Sequence, residues 1–152
     1  MTKPRAVFDQ LNIVSGDPAA SVAFYRRLGV TIPKDNIWET PTGIHHVNSA
    51  IGADADAAAL EIDSTAFAPV WNPGWRGRTD LAGRVVIGFH VAARSDVDEI
   101  YADMTGAGYR GLMTPHDAFW GSRYAILEDP DGIAVGVMSP MSADHRSMPP
   151  QV

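Results

Sequence analysis

Five histidines, eighteen carboxylates and four tryptophans are the side chains with which this chain could do chemistry, and there is no cysteine. Without a thiol, disulfide frameworks, thiolate metal sites and cysteine nucleophiles are excluded. The histidines are scattered. His45 and His46 are adjacent in "IHHVNSAI", so on a strand they point to opposite faces and only one can join a given site. His90 ends "RVVIGFH", His116 precedes Asp117 in a loop, and His145 is near the end of the chain. No His-x-x-x-His or Glu-x-x-His pair falls on a helix, no glycine-rich phosphate loop is present, and neither "GSR" nor "DST" has the form of a nucleophile elbow. Covalent catalysis is not expected. Indole offers a broad stacking face and one N–H donor, which suits planar ligands in half-open clefts and also subunit contacts. Trp38 stands near a strand end, Trp71 and Trp75 in "WNPGW", and Trp120 in "FWGSRY" at the mouth of a strand. None lies in a helical stripe.

The elements that would position these residues come in two rounds. Alternation in "AVFDQLNIV" (6–14) predicts a strand. "GDPAASVAFYRRLG" (16–29) predicts a helix capped by Asp17, with Pro18 in the first turn, Gly29 past the end, and Ala20, Phe24 and Leu28 on one face. Strands are expected near 30–38, 44–51 and 57–63. The stretch 64–83 is rich in Pro, Gly and Trp and reads as irregular. Then the pattern restarts: a strand at 84–92, and a helix at 95–108 with Ser95 as cap, Asp98 three residues later, and Val97, Ile100, Tyr101 and Met104 as its stripe. Strands near 109–115, 120–127 and 132–138 complete the round. Asp129-Pro130-Asp131-Gly132 is turn chemistry that launches the last strand. By alternation Arg123 faces away from Tyr124, to pair with an acid or cover the sheet edge. The expected fold class is α+β: two βαβββ modules whose curved sheets enclose a cleft, with the helices outside. The expected organisation is a first module at 1–70, a linker at 71–83, a second module at 84–140 and a loose tail at 141–152.

Charge narrows the partners. The net charge is −6, with 20% charged and 45% apolar residues. No basic stripe exists to neutralise phosphates, so nucleic acid is not an expected partner. No apolar run approaches membrane-spanning length, and "MTKPRAVFDQ" has no signal core, so neither a membrane nor export is expected and the cytoplasm is the expected location.

The module order, with "DPAASVAFYRRLGV" and "LEDPDGIAVGVMSP", resembles the vicinal oxygen chelate superfamily, which includes glyoxalase I, extradiol dioxygenases and bleomycin-resistance proteins. "FYRRLGVTIP", "WNPGW", "AGYRG" and "WGSRYAILEDPDG" resemble its metal-free branch, that of the mitomycin-binding resistance protein. Metal-dependent members draw ligands from four inward positions. By motif these fall here on Gln10, Glu61, Val86 and Gly136, and only the first two carry donors. His90, on Val86's face of its strand, is the one further metal candidate. The resemblance to the metal-free branch implies no cofactor, a stacking role for Trp120, and a histidine from the first module closing the other side. His46 matches that histidine best, with His45 one step away. Gln10, Asn12, Glu61, His90 and Tyr124 are expected as cleft lining, and Trp38, Trp71 and Trp75 as further candidates. The implied function is sequestration of a planar aromatic or quinone-like molecule, such as an antibiotic, by a homodimer in which modules can be exchanged. The competing expectation is a metal-dependent lyase, isomerase or dioxygenase.

Overall fold

The structure, a computed structural model, describes residues 10–50, 58–72, 75, 77–80, 82–83 and 85–150. The expected strand portions at 6–9, 51, 57 and 84 lie outside the described residues. The chain divides into two compact units, Met1–Arg78 and Thr79–Val152.

In the first unit, β1 (Gln10–Ser15) leads into α1 (Pro18–Leu28). It is followed by β2 (Ile37–Thr40), β3 (Gly43–Asn48), β4 (Ala59–Ser64) and the short α2 (Ala68–Trp71). The sheet order is β1-β4-β3-β2. Only β1 and β4 run parallel; the neighbours β2-β3 and β3-β4 are consecutive in the chain and antiparallel, whereas the chain between β1 and β4 passes through α1, β2 and β3. The carboxylate of Asp17 accepts the Ala20 N–H at 3.0 Å, and the helix ends at Gly29. Phe24, Tyr25 and Leu28 are buried with Ile13, Val47, Leu60 and Ile62. That burial takes each large apolar side chain out of water for about 1.5–3 kcal/mol, and it fixes which face of the sheet α1 covers.

The second unit repeats the plan: β5 (Val86–His90), α3 (Arg94–Gly106), β6 (Gly111–Asp117), β7 (Arg123–Glu128) and β8 (Ala134–Met138), in sheet order β5-β8-β7-β6. Again only the first and last strands of the unit, β5 and β8, are parallel. Val97 and Met104 of α3 are buried with Ile87, Ala125, Leu127, Val135 and Val137. The α+β fold of two βαβββ modules expected from the sequence is the fold observed.

Several boundaries differ from expectation. The segment expected as a strand at 30–38 is a 3-10 turn at Lys34–Asn36, with the strand starting at Ile37. The stretch expected to be irregular from 64 contains α2. Ser95 is not the cap of the second helix. Ala93 holds that position, and the Asp96 carboxylate accepts the Ala93 N–H at 2.9 Å. The strand expected at 120–127 begins at Arg123, which leaves Trp120 in the preceding turn. Part of the segment expected as a tail is tied down, since Ser142 and Ser147 donate backbone hydrogen bonds to the carbonyls of Gly121 and Phe119.

Candidate functional site

In the second unit, β5 and β8 set Gly88 opposite Gly136. Two glycines side by side leave the sheet without side chains there; Gly88 is exposed, and Gly136 is buried. Tyr124, on β7, lies across Gly136. A Cβ on Gly136 would stand 2.7 Å from the Tyr124 Oη and 2.9 Å from its Cε2. A side chain at this position would therefore push the tyrosine ring aside. Trp120 meets Tyr124 edge-on, with ring centroids 5.5 Å apart at 62°, and Phe119 meets Trp120 at 5.1 Å and 84°. These are the offset, edge-to-face geometries that aromatic quadrupoles favour. Phe89, His90 and Met138 also line this open cleft of about 370 Å³. That is the size of a small-ligand pocket.

The turn carrying Trp120 is held firmly. Ala118 N–H donates to the Ser122 carbonyl at 2.8 Å, and Gly121 N–H to the Ala118 carbonyl at 2.8 Å. Arg94 reaches the Gly121 carbonyl from α3 at 3.1 Å. Arg123 points away from Tyr124 and pairs with acids: Nη2 and Nε reach the two oxygens of Asp98 at 2.7 and 2.9 Å, and Nη1 reaches Asp117 at 3.2 Å. The Arg123 hydrogen bond holds the Asp98 carboxyl below its ordinary range. A carboxyl with a depressed folded-state pKa adds stability above the ordinary aspartate range and loses it as the pH falls through the folded value. Asp98→Asn is accordingly expected to cost a few degrees or less of melting temperature near neutrality. The difference from wild type should shrink in acid and in high salt, because the pair is exposed and screened. A melting series over pH and salt checks this.

The first unit assembles a polar array on the face of its sheet opposite α1. Asp63, only 2% exposed, accepts from His46 Nδ1 at 2.5 Å and from Asn12 Nδ2 at 2.8 Å. Glu61 accepts from Asn48 at 3.1 Å and from Asn12 at 3.4 Å. The register explains the set, since His46 pairs with Asp63, Asn48 with Glu61, and Asn12 with Glu61. His45 is engaged elsewhere. Its Nε2 bonds the hydroxyls of Thr40 and Thr42 at 2.9 Å each, and its Nδ1 the Ser64 hydroxyl at 3.1 Å.

The structure thus gathers Trp120, Tyr124 and His90 in one unit, and His46, Asn12 and Glu61 in the other. Of the remaining candidates, Trp38 is the register partner of His46 and shares its contact with Phe67. Gln10 is exposed at the start of β1. Trp38 packs on His45 and Phe67. Trp71 ends α2, largely exposed, and Trp75 lies beyond it. Asp63 and Asn48 were missed from the sequence. The signal was available in alternation, since each lies two residues after a residue already singled out, Glu61 and His46.

A metal of the kind the resemblance implies does not fit these residues. Val86 offers hydrocarbon, Gly136 offers no side chain and lies under the Tyr124 ring, and Glu61 is already held by two amides. Among the described residues no three His, Asp or Glu side chains converge within either unit, whereas protein metal sites normally use three or more ligands.

Comparison with known proteins agrees with the fold. The Glyoxalase/Bleomycin resistance protein/Dioxygenase superfamily is matched over residues 7–137. No curated protein matches by sequence. Among solved structures, the chain is similar to a glyoxalase/bleomycin resistance protein/dioxygenase family enzyme from Burkholderia phytofirmans (TM-score 0.72, 17% identity, 88% of this chain and 98% of that one). It is also similar to a glyoxalase-related enzyme from Fulvimarina pelagi (TM-score 0.70, 18% identity, 93% and 95%). A lactoylglutathione lyase from Agrobacterium tumefaciens aligns with a TM-score of 0.63 and 22% identity over 90% and 96% of the two chains. At these identities the likeness is one of fold. No helix among the described residues is long and apolar enough to cross a membrane.

Proposed function

Because this chain belongs to the Glyoxalase/Bleomycin resistance protein/Dioxygenase superfamily, we propose that it binds a small molecule by stacking instead of by metal chelation. The ligand is a planar aromatic or quinone-like compound, an antibiotic being one such ligand, and the protein acts by sequestering it. The observation that supports this reading is the second unit's cleft, where the exposed Gly88 adjoins the rings of Trp120 and Tyr124. An exposed glycine beside aromatic rings can accept a flat molecule and strip water from its faces. The sequence likeness to the metal-free branch carried by "WGSRYAILEDPDG" points the same way. On this reading the working form is a cytoplasmic homodimer.

The competing function, a metal-dependent lyase, isomerase or dioxygenase, needs donors that Val86 and Gly136 do not supply. The two readings separate in one titration. With 1,4-naphthoquinone as probe, tryptophan fluorescence should quench saturably, and equally so before and after dialysis against a chelator. Elemental analysis of protein purified without chelators should show well under one transition-metal ion per chain. Quenching that appears only when a metal is restored would overturn the proposal.

A further inference from the structure

We propose that His46 and Asp63 form a proton-accepting site for phenolic or enolic hydroxyl groups on the helix-free face of the first sheet. The inference stands on the first unit alone and does not rest on the aromatic cleft.

Asp63 is buried and fixes His46 through Nδ1 at 2.5 Å. A carboxylate bound at Nδ1 keeps the hydrogen on that nitrogen, so in the neutral ring the lone pair resides on Nε2. Nε2 has no partner among the described residues, and the side chain is 29% exposed. His45 differs in both respects, since each of its ring nitrogens is bonded to hydroxyls. One of two adjacent histidines is therefore held by side chains at both nitrogens, and the other is oriented and left with a free acceptor.

The surroundings select the ligand. The titratable neighbours on this face are Asp63 and Glu61. Asn12 and Asn48 are neutral, and the Phe67 ring stands 5.9 Å from the imidazole. Two carboxylates favour a neutral hydrogen-bond donor over a ligand that arrives as an anion, and the imidazolium formed on proton transfer offsets their repulsion of the new oxyanion. The Asn12 Oδ1 is buried without a donor, an unusual state for a buried acceptor and one that a ligand or water hydroxyl would relieve. When a sufficiently acidic hydroxyl binds at Nε2, its O–H bond breaks and the electron pair stays on the ligand oxygen. The proton moves to Nε2, and Asp63 stabilises the imidazolium that forms.

4-Nitrophenol is a suitable probe, since its ionised form is coloured. At a pH near the probe's own midpoint, wild-type protein should raise the ionised fraction. His46→Gln should abolish the rise. Asp63→Asn should remove most of it, because an amide can donate to Nδ1 and leave the hydrogen on Nε2. No rise with wild type, or a rise unchanged in His46→Gln, would overturn the proposal. Should Asp63→Asn fail to fold, nitrogen-15 NMR of wild-type His46 decides the same point. The Nδ1–H form is expected, and an Nε2–H form would contradict the site. A failure here falls on His46 and Asp63, whereas failure of the stacking function falls on Trp120.

Discussion

Trp120→Ala should weaken binding of a planar ligand about thirty-fold while leaving the fold intact. The estimate follows from the ~2 kcal/mol or more that truncating a well-placed tryptophan costs a binding site, at tenfold per 1.4 kcal/mol. Trp120 is only half-buried and lies in a turn, so its removal opens no large cavity in the core. It does touch Phe119 and Tyr124, and some of the loss will come from a freer Tyr124. Thermal unfolding separates the two contributions, because a packing loss lowers the melting temperature and a stacking loss does not. Trp71→Ala is the matched control. That tryptophan is largely exposed at the end of α2 and lies outside the cleft lining, so affinity should stay at the wild-type value.

Gly121→Ala should be at least as damaging, for a reason that begins in the backbone. Gly121 has φ +101°, and a Cβ there would lie 2.3 Å from the Ser142 carbonyl oxygen and 3.0 Å from Arg146 Cγ. The conformation alone costs a non-glycine residue about 1–3 kcal/mol. The near neighbour is a backbone atom, which cannot swing aside as a side chain can. Either the 118–122 turn or the segment at Ser142 must move, and Trp120 is the residue before the glycine. A fall in melting temperature of about 5 °C or more is expected, at roughly 2–4 °C per kcal/mol for a chain of this size, together with loss of ligand binding. Gly88→Ala is the informative contrast. A Cβ at Gly88 meets nothing within 4 Å, so stability should hold while the cleft floor is filled and affinity falls.

Much of the fold was readable from local chemistry. Asp17, Pro18 and Gly29 mark α1 because caps act within one turn of chain, and the structure uses the Asp17 carboxylate as expected. The repeat of helix and strand order was readable for the same reason. What failed was competition between nearby groups. Ser95 and Asp98 look like a capping pair, but Asp98 is drawn to Arg123 across the unit and Asp96 serves the helix start instead. Phe119 and Trp120 have strand-like propensity, yet backbone bonds from Ala118, Gly121 and Ser147 hold them in a turn. The candidate site was partly legible. Alternation assigns faces but not cross-strand partners, so Glu61 and His46 could be named while Asp63, the acceptor that ties His46 and Asn12 together, could not. Gly136 was read as a missing donor. In the structure it is also a space that the Tyr124 ring needs.

The central claim, a metal-independent stacking cleft in the second unit, is tested most directly by mapping ligand-induced NMR shifts. With 1,4-naphthoquinone titrated into chelator-treated protein, the indole N–H of Trp120 and the amides of Gly88 and Gly136 should shift most and saturate together. The indole signals of Trp38 and Trp71 should stay in place. Shifts centred on Trp38 or Trp71, with Trp120, Gly88 and Gly136 unmoved, would contradict the account.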